Sequence, residues 1–232
     1  MINEYAIEAR GVTKVYGEGA LAFQALKGVD FLVEHGEFVM LAGPSGSGKT
    51  TLLSILGCVL SATSGDVVID GVRVSGRREA EMPAIRLGRI GFIFQGHNLI
   101  ASLTARENVA LVLEMRGMPR TKALAEASAL LARVGLGDKL HSIPSDLSGG
   151  QRQRVSVARA LAGSPPIVLA DEPTAALDAE SGRVVTELLR EVAKERGGTV
   201  VVVTHDNRIF HLADRIVHIE DGLMQPDPGN HA

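Results

Sequence analysis

Residues 38–56 read FVMLAGPSGSGKTTLLSIL: an apolar run, three glycines at positions 43, 46 and 48, and then a second apolar segment. An apolar stretch this short, stopped by Gly-Pro, suits a strand buried on both faces rather than a helix. A glycine-rich turn feeding straight into a helix carries the chain off the end of that strand into the layer above it. The next strand of the sheet is then reached by a crossover and runs parallel to the first. This stretch restricts the chain to a parallel sheet wrapped by helices.

Other apolar, β-branched runs fit that plan. Strands are expected at residues 38–43, 90–95, 167–171, 199–205 and 215–221. The first 40 residues and residues 65–74 read instead as antiparallel hairpins with glycine turns. From 96 to 162 the pattern changes to an alanine-rich 3.6-residue period, as in TKALAEASALLARVGL, with Thr121 as the expected N-cap of its long helix. The 232 residues form a single domain. Core and β subdomain occupy about 1–95 and 163–223, a helical insertion about 96–162, and a polar, Pro/Gly-rich flexible tail 224–232.

Composition removes several classes. A net charge of −3 with 3% aromatic residues leaves no basic or stacking footprint for nucleic acid. Cys58 is the only cysteine, so no intramolecular disulfide or cysteine metal cluster is available, and its apolar context LLSILGCVL marks it as a small buried hydrophobe. The opening MINEYAIEARG is charged where a signal peptide is apolar. No apolar run approaches the roughly 18 residues of a membrane span. Membrane contact is therefore expected only through a partner. Apart from His205, the histidines, including His35, His97 and His141, lack metal-ligand spacing and are expected on the surface.

GPSGSGKT matches G-x-x-x-x-G-K-[ST], the Walker A pattern, in the strand-to-helix setting that its mechanism needs. The backbone N–H groups of Gly43, Pro44, Ser45, Gly46, Ser47 and Gly48 (proline contributing only its turn) curl around phosphate oxygens at a helix N-terminus. Lys49 reaches the β- and γ-phosphates of ATP, the Thr50 hydroxyl ligates Mg²⁺, and Thr51 continues the phosphate-facing turn. IVLADE ends a strand in two carboxylates. Asp171 is placed to hold Mg²⁺ through a water, and Glu172 to take a proton from the attacking water. LSGGQ, with Ser148, Gly149, Gly150 and Gln151, reads as a second anion-ready helix start.

With the two preceding motifs, LSGGQ resembles the signature of ATP-binding-cassette (ABC) ATPases, and the resemblance covers residues 5–223. It implies an α/β P-loop NTPase fold: a RecA-like parallel-sheet core, an N-terminal antiparallel β subdomain and an inserted α-helical subdomain. It also implies roles for weaker motifs. Tyr16 of VYG packs on adenine. Gln95 of FIFQ is the Q-loop residue, serving catalysis and Mg²⁺, and Asp178 of AALD lies in the D-loop beside the nucleotide. His205 of VTHD is the switch histidine on the γ-phosphate. The family pairs cassettes head-to-tail, so the implied active form is an ATP-bound homodimer in which each signature caps the other's γ-phosphate.

Of the classes within that family, a transporter motor fits best. Soluble ABC ATPases of DNA repair or translation carry long coiled-coil insertions or two cassettes in one chain, and this chain shows neither. GFIFQGHNLIASLTARENV, LADEPTAALD and VTHDNRIFHLADRIVHIEDG look like the macrolide-exporter (MacB) type, and most like its glycolipid-exporting (DevA) and haem-exporting branches. Lipoprotein-release ATPases usually have Gly-Asn where this chain has Ala175-Ala176. The resemblance implies a four-helix transmembrane permease with a large extracytoplasmic domain. That partner is expected to grip the surface around Gln95, Gly96, Leu99 and Ile100, with the cassette peripheral on the cytoplasmic face of the inner membrane.

Overall fold

The computed structural model describes residues 4–175, 177–205 and 207–225. The chain opens with β1 (Tyr5–Tyr16) and β2 (Phe23–Glu34), an antiparallel pair joined through a 3₁₀ turn, followed by β3 (Phe38–Ala42) and α1 (Lys49–Leu56). After β4 (Ser64–Ile69) and β5 (Val72–Arg73) come α2 (Met82–Arg89) and β6 (Ile90–Ile93). Three helices follow: α3 (Ala105–Met115), α4 (Arg120–Arg133) and α5 (Gly149–Leu161). The remainder is β7 (Ile167–Asp171), α6 (Ala179–Arg196), β8 (Thr199–Val203), β9 (Arg215–Glu220) and β10 (Leu223–Met224).

Two sheets result. One is four-stranded and antiparallel, in the order β2-β1-β4-β5. The other has the order β10-β9-β3-β8-β7-β6 and is parallel throughout, except for the antiparallel edge strand β10. Every residue of β3, β7 and β8 is buried, as expected for strands covered on both faces. The period of two divides them between two cores. Phe38, Met40, Val168, Ala170, Val200 and Val202 belong to the core that continues through α5 and α6 into α3 and α4. Val39, Leu41, Leu169, Val201 and Val203 face α1 and the four-stranded sheet through Leu52, Leu53, Leu56, Leu26 and Phe31. Burial of each such large side chain contributes about 1.5–3 kcal/mol. Helices α3 and α4 pack on each other and on α5, and α5 packs on β6, so one apolar core runs from the helical segment into the sheet.

Several sequence expectations shift by a few residues. Strands β3, β6, β8 and β9 stop one or two positions early, because the residues that follow turn away to build the site. Helix α4 starts at Arg120 with Pro119 as N-cap, not at Thr121. The proline holds φ at −57°, and its carbonyl accepts the first intrahelical bond, from the Ala123 N–H at 3.0 Å, with no side-chain cap. Met224 lies in β10, paired with Ile219, rather than in the tail, whose residues 226–232 lie outside the described ones. His97 is half-buried and bonded to Gln153 instead of standing free on the surface. Among the described residues, no helix is long and apolar enough to cross a membrane.

Candidate functional site

The site lies along the C-terminal edge of the parallel sheet, where chain segments leaving four strands converge. After β3, Gly43 takes φ +150° and Gly46 φ +79°. Gly48, at φ +104°, is the N-cap of α1. A Cβ at Gly43 would sit 2.1 Å from the Ile219 carbonyl oxygen, and one at Gly48 2.7 Å from the Ala25 carbonyl oxygen. Both backbones are therefore pressed against neighbouring strands. Gly46 has open space around it and needs only its conformation.

Lys49 is 8% exposed, and its Nζ donates to the carbonyls of Gly43 at 2.7 Å and Pro44 at 2.6 Å. The ammonium is held inside the ring of the loop while Pro44, Ser45, Gly46 and Thr50 face outward. Burial lowers the Lys49 pKa from its ordinary value, and the negative charges of Glu172 and Asp171 oppose that shift. The loop has a support that sequence reading did not assign. The Gly222 N–H, in the turn between β9 and β10, donates to the Ser47 carbonyl at 3.0 Å, and the Gly222 carbonyl accepts from the Lys27 N–H at 2.9 Å. The Asp-Gly pair at 221–222 was the available signal for that turn.

The Asp171 carboxylate closes β7, is 6% exposed, and accepts from the Thr50 hydroxyl at 3.2 Å. Burial raises its pKa, while the Thr50 hydrogen bond works the other way. Two hard oxygens thus meet beside a phosphate-shaped loop, a donor set that suits Mg²⁺ sharing its remaining positions with phosphate and water. Among the described residues, no group of three or more His, Cys, Asp or Glu side chains gathers elsewhere to compete for a metal. Glu172 takes φ +49°, its N–H donating to the Val203 carbonyl at 2.9 Å. That kink aims its carboxylate toward β8, where His205 Nδ1 donates to Glu172 Oε1 at 2.8 Å.

Gln95 is exposed just beyond β6, whose last residue pairs with Ala170, so it stands on the same sheet edge as Asp171. The Tyr16 ring is 42% exposed, with its hydroxyl 3.5 Å from that of Thr51 and the Lys14 ammonium 5.3 Å from the ring centre. Tyr16 thus stands part-exposed beside the start of α1, with the Lys14 ammonium over its ring.

Ser148, Gly149, Gly150 and Gln151 sit apart, at the start of α5, which packs on α3, α4 and β6. The Ser148 hydroxyl accepts from the Gln151 N–H at 3.2 Å, and Gln151 Oε1 accepts from the Ser148 N–H at 2.9 Å, a reciprocal capping box. Sequence reading assigned this hydroxyl to an anion, and the structure gives it a first role as helix cap. A Cβ at Gly150 would stand 3.2 Å from Leu177, whereas one at Gly149 would meet nothing closer than 3.9 Å. Asp178 caps α6 in a similar way, accepting from the Ser181 N–H and hydroxyl at 2.9 Å each, bonds that lower its pKa. Ala176, in the same loop, lies outside the described residues.

Comparison with known proteins agrees with this geometry. The family model described as ABC transporter matches residues 26–175. The macrolide export ATP-binding/permease protein MacB of Aggregatibacter actinomycetemcomitans is 47% identical over 95% of this chain. The chain spans only 34% of that relative's length. The lipoprotein-releasing system ATP-binding protein LolD of Shewanella frigidimarina is 46% identical over 94% of the chain and 92% of its own length. Among solved structures, the dimeric post-hydrolysis state of the ATP-binding cassette MJ0796 bound to ADP and Pi superposes with a TM-score of 0.93 at 41% identity, covering 97% of this chain and 99% of that one. Sheet order, phosphate loop, paired carboxylates, signature helix and sequence similarity converge: the chain belongs to the ABC transporter family, as one of its P-loop ATP-binding cassettes.

Proposed function

We propose that this chain is the ATP-hydrolysing motor of a MacB- or LolD-like export complex, working as a homodimer that forms around ATP. The observation carrying this reading is the division of the site. The phosphate loop, Asp171, Glu172 and His205 share one sheet edge, while a second glycine-rich helix start stands apart on α5. Among the described residues, nothing stands closer than 3.9 Å to where a Gly149 Cβ would be, so their packing does not require a glycine there. A partner's nucleotide does, because bare N–H groups at a helix start are an anion site. A head-to-tail pair brings each α5 start to the other cassette's phosphate loop.

In this reading Tyr16 stacks on adenine, and residues 43–51 enclose the phosphates with Lys49 at the β- and γ-positions. Thr50, Asp171 and Gln95 hold Mg²⁺. When bound, Mg²⁺ neutralises charge on the phosphate oxygens. Glu172 accepts the proton of the attacking water, and His205, already bonded to Glu172, orients that carboxylate and faces the γ-phosphate. Ser148, Gly149, Gly150, Gln151 and Asp178 act at the dimer face. The permease partner is of the four-helix MacB type. It grips the surface around Gln95, Leu99 and the exposed Ile100, and holds the cassette on the cytoplasmic face of the membrane.

The decisive variant is Glu172→Gln, which keeps size and hydrogen bonding but cannot take the proton. Single-turnover hydrolysis is expected to fall about 10²–10⁴-fold. ATP stays bound, and light scattering in Mg-ATP shows a persistent dimer. Hydrolysis near the wild-type rate would remove Glu172 from the mechanism.

A further inference from the structure

The segment between β6 and α3 leaves Gln95 through an unusual turn. His97 and Asn98 adopt φ +62° and +49°, two consecutive non-glycine residues in the left-handed region, and the Asn98 N–H donates to the Gly96 carbonyl at 2.7 Å. The turn aims both of their carbonyls at α5. There, the Arg159 guanidinium donates to the His97 carbonyl at 2.8 Å and to the Asn98 carbonyl at 2.6 Å. The His97 ring adds a second tie, its Nδ1 donating to Gln153 Oε1 of the same helix. Further on, Asn108 of α3 accepts from the Ile100 N–H at 2.8 Å and donates to the carbonyls of Ile100, Leu103 and Thr104.

On the other side Phe94 is stacked on Phe92 of β6, with ring centres 4.2 Å apart. Residues up to 94 therefore belong to the sheet and residues from 97 onward to the helices. Gln95 and Gly96 are the joint, spanned by one backbone bond from the His97 N–H to the Phe94 carbonyl.

The chemistry of the two α5 residues is costly for folding alone. Burial lowers the Arg159 pKa, and among the described residues no carboxylate pairs with it, so two carbonyls are its compensation. Gln153 is 1% exposed and its Nε2 has no hydrogen-bond partner among the described residues, so an apolar side chain of similar volume would pack there at less cost. What both residues have in common is His97, two positions after Gln95: Arg159 holds its carbonyl and Gln153 its ring.

We propose that Arg159 and the Gln153–His97 pair are positioning residues that fasten the Gln95 turn to α5, so that the placement of Gln95 follows that of the helix carrying Ser148. A change at the start of α5, where the partner's nucleotide is read, then reaches Gln95 of the chain's own site through the helix body. The proposal rests on the reading of Gln95 and Ser148 given above, and its test separates the two.

The test uses the full chain without nucleotide for hydrogen exchange, and with Mg-ATP for turnover. Arg159→Lys keeps the charge but not the fork that reaches two carbonyls. The amides of His97, Asn98 and Ile100 are expected to exchange about tenfold faster, with those of residues 153–158 unchanged. Turnover is expected to fall about 10–100-fold while KM for ATP stays within about twofold, because the reacting groups are misplaced and the phosphate loop is untouched. In a double-mutant cycle, His97→Ala is expected to cost turnover in the wild type and nothing further in Gln153→Leu.

Wild-type exchange of the turn in Arg159→Lys overturns the proposal, as does loosening spread equally over α5. So does a loosened turn with full turnover, or factors that multiply in the cycle. Failure of the underlying reading shows differently, as a Gln95→Ala variant with wild-type turnover, or as an ATP dimer that persists when Ser148→Asp is added to Glu172→Gln.

Discussion

The glycines of the phosphate loop show how much a single atom decides. At Gly43 and Gly48 a methyl group would enter another strand's carbonyl oxygen, whereas at Gly46 only the backbone angle excludes it. Sequence spacing predicts all three glycines but cannot say which reason applies, because Ile219 and Ala25 are distant in the chain. Cys58 was legible throughout: an apolar context predicts burial, and the thiol is buried, with its pKa pushed up to about 11 by desolvation. A raised thiol pKa leaves little of the reactive anion. At pH 8 the thiolate fraction is on the order of a thousandth. An aromatic disulfide reagent is therefore expected to leave Cys58 unmodified in the folded chain and to react at once in denaturant. Rapid labelling of the folded chain would show that the end of α1 opens. His97 was the opposite case. Nothing in its own sequence neighbourhood announces a partner 56 positions later, and reading it as a surface residue missed the turn it holds.

At the scale of the element, two helices begin with the same device. Thr104 and Glu107 cap α3 as Ser148 and Gln151 cap α5, in the spacing S/T-x-x-E/Q. Both boxes are written in the sequence, yet the second was obscured because its serine also belongs to a motif with a functional meaning. The two roles can be separated. Ser148→Ala removes the cap and is expected to lower stability by about 1 kcal/mol in urea unfolding. Ser148→Asp supplies an equally good cap, and its carboxylate suits a helix N-terminus, so stability is expected to hold. That same carboxylate stands where the proposed dimer brings a phosphate. Combined with Glu172→Gln, it is expected to abolish the ATP-dependent rise in light scattering. A stable ATP dimer of that double variant would mean that α5 starts do not face nucleotide. The strand ends were the least legible elements, since apolar runs continue past the last ladder bond into residues such as Phe94 that pack without pairing.

For the whole molecule, the class of fold followed from one strand–loop–helix passage, but the joining of the helical segment to the sheet did not. Periodicity reveals that α3, α4 and α5 have apolar faces and is silent on what covers them, which proves to be one another, with α5 carrying the packing onto β6. Assembly follows from the same arrangement. With the two halves of the proposed nucleotide site on different faces, the chain is expected to elute as a monomer without nucleotide and as a dimer in Mg-ATP when Glu172 is glutamine. A dimer of equal strength without nucleotide would point to another interface. The order of the six-stranded sheet carries a consequence for how the protein is made. Strand β3, which launches the phosphate loop, lies between β8 and β9, and the loop itself leans on the turn at Gly222. A growing chain that has left the ribosome only as far as residue 195 therefore holds every Walker A residue and yet lacks both sheet neighbours of β3 and the turn that braces the loop. Affinity for ATP is expected to be absent from such stalled chains and to arrive abruptly once residues 199–224 have emerged, so that nucleotide is captured almost at the last moment of synthesis.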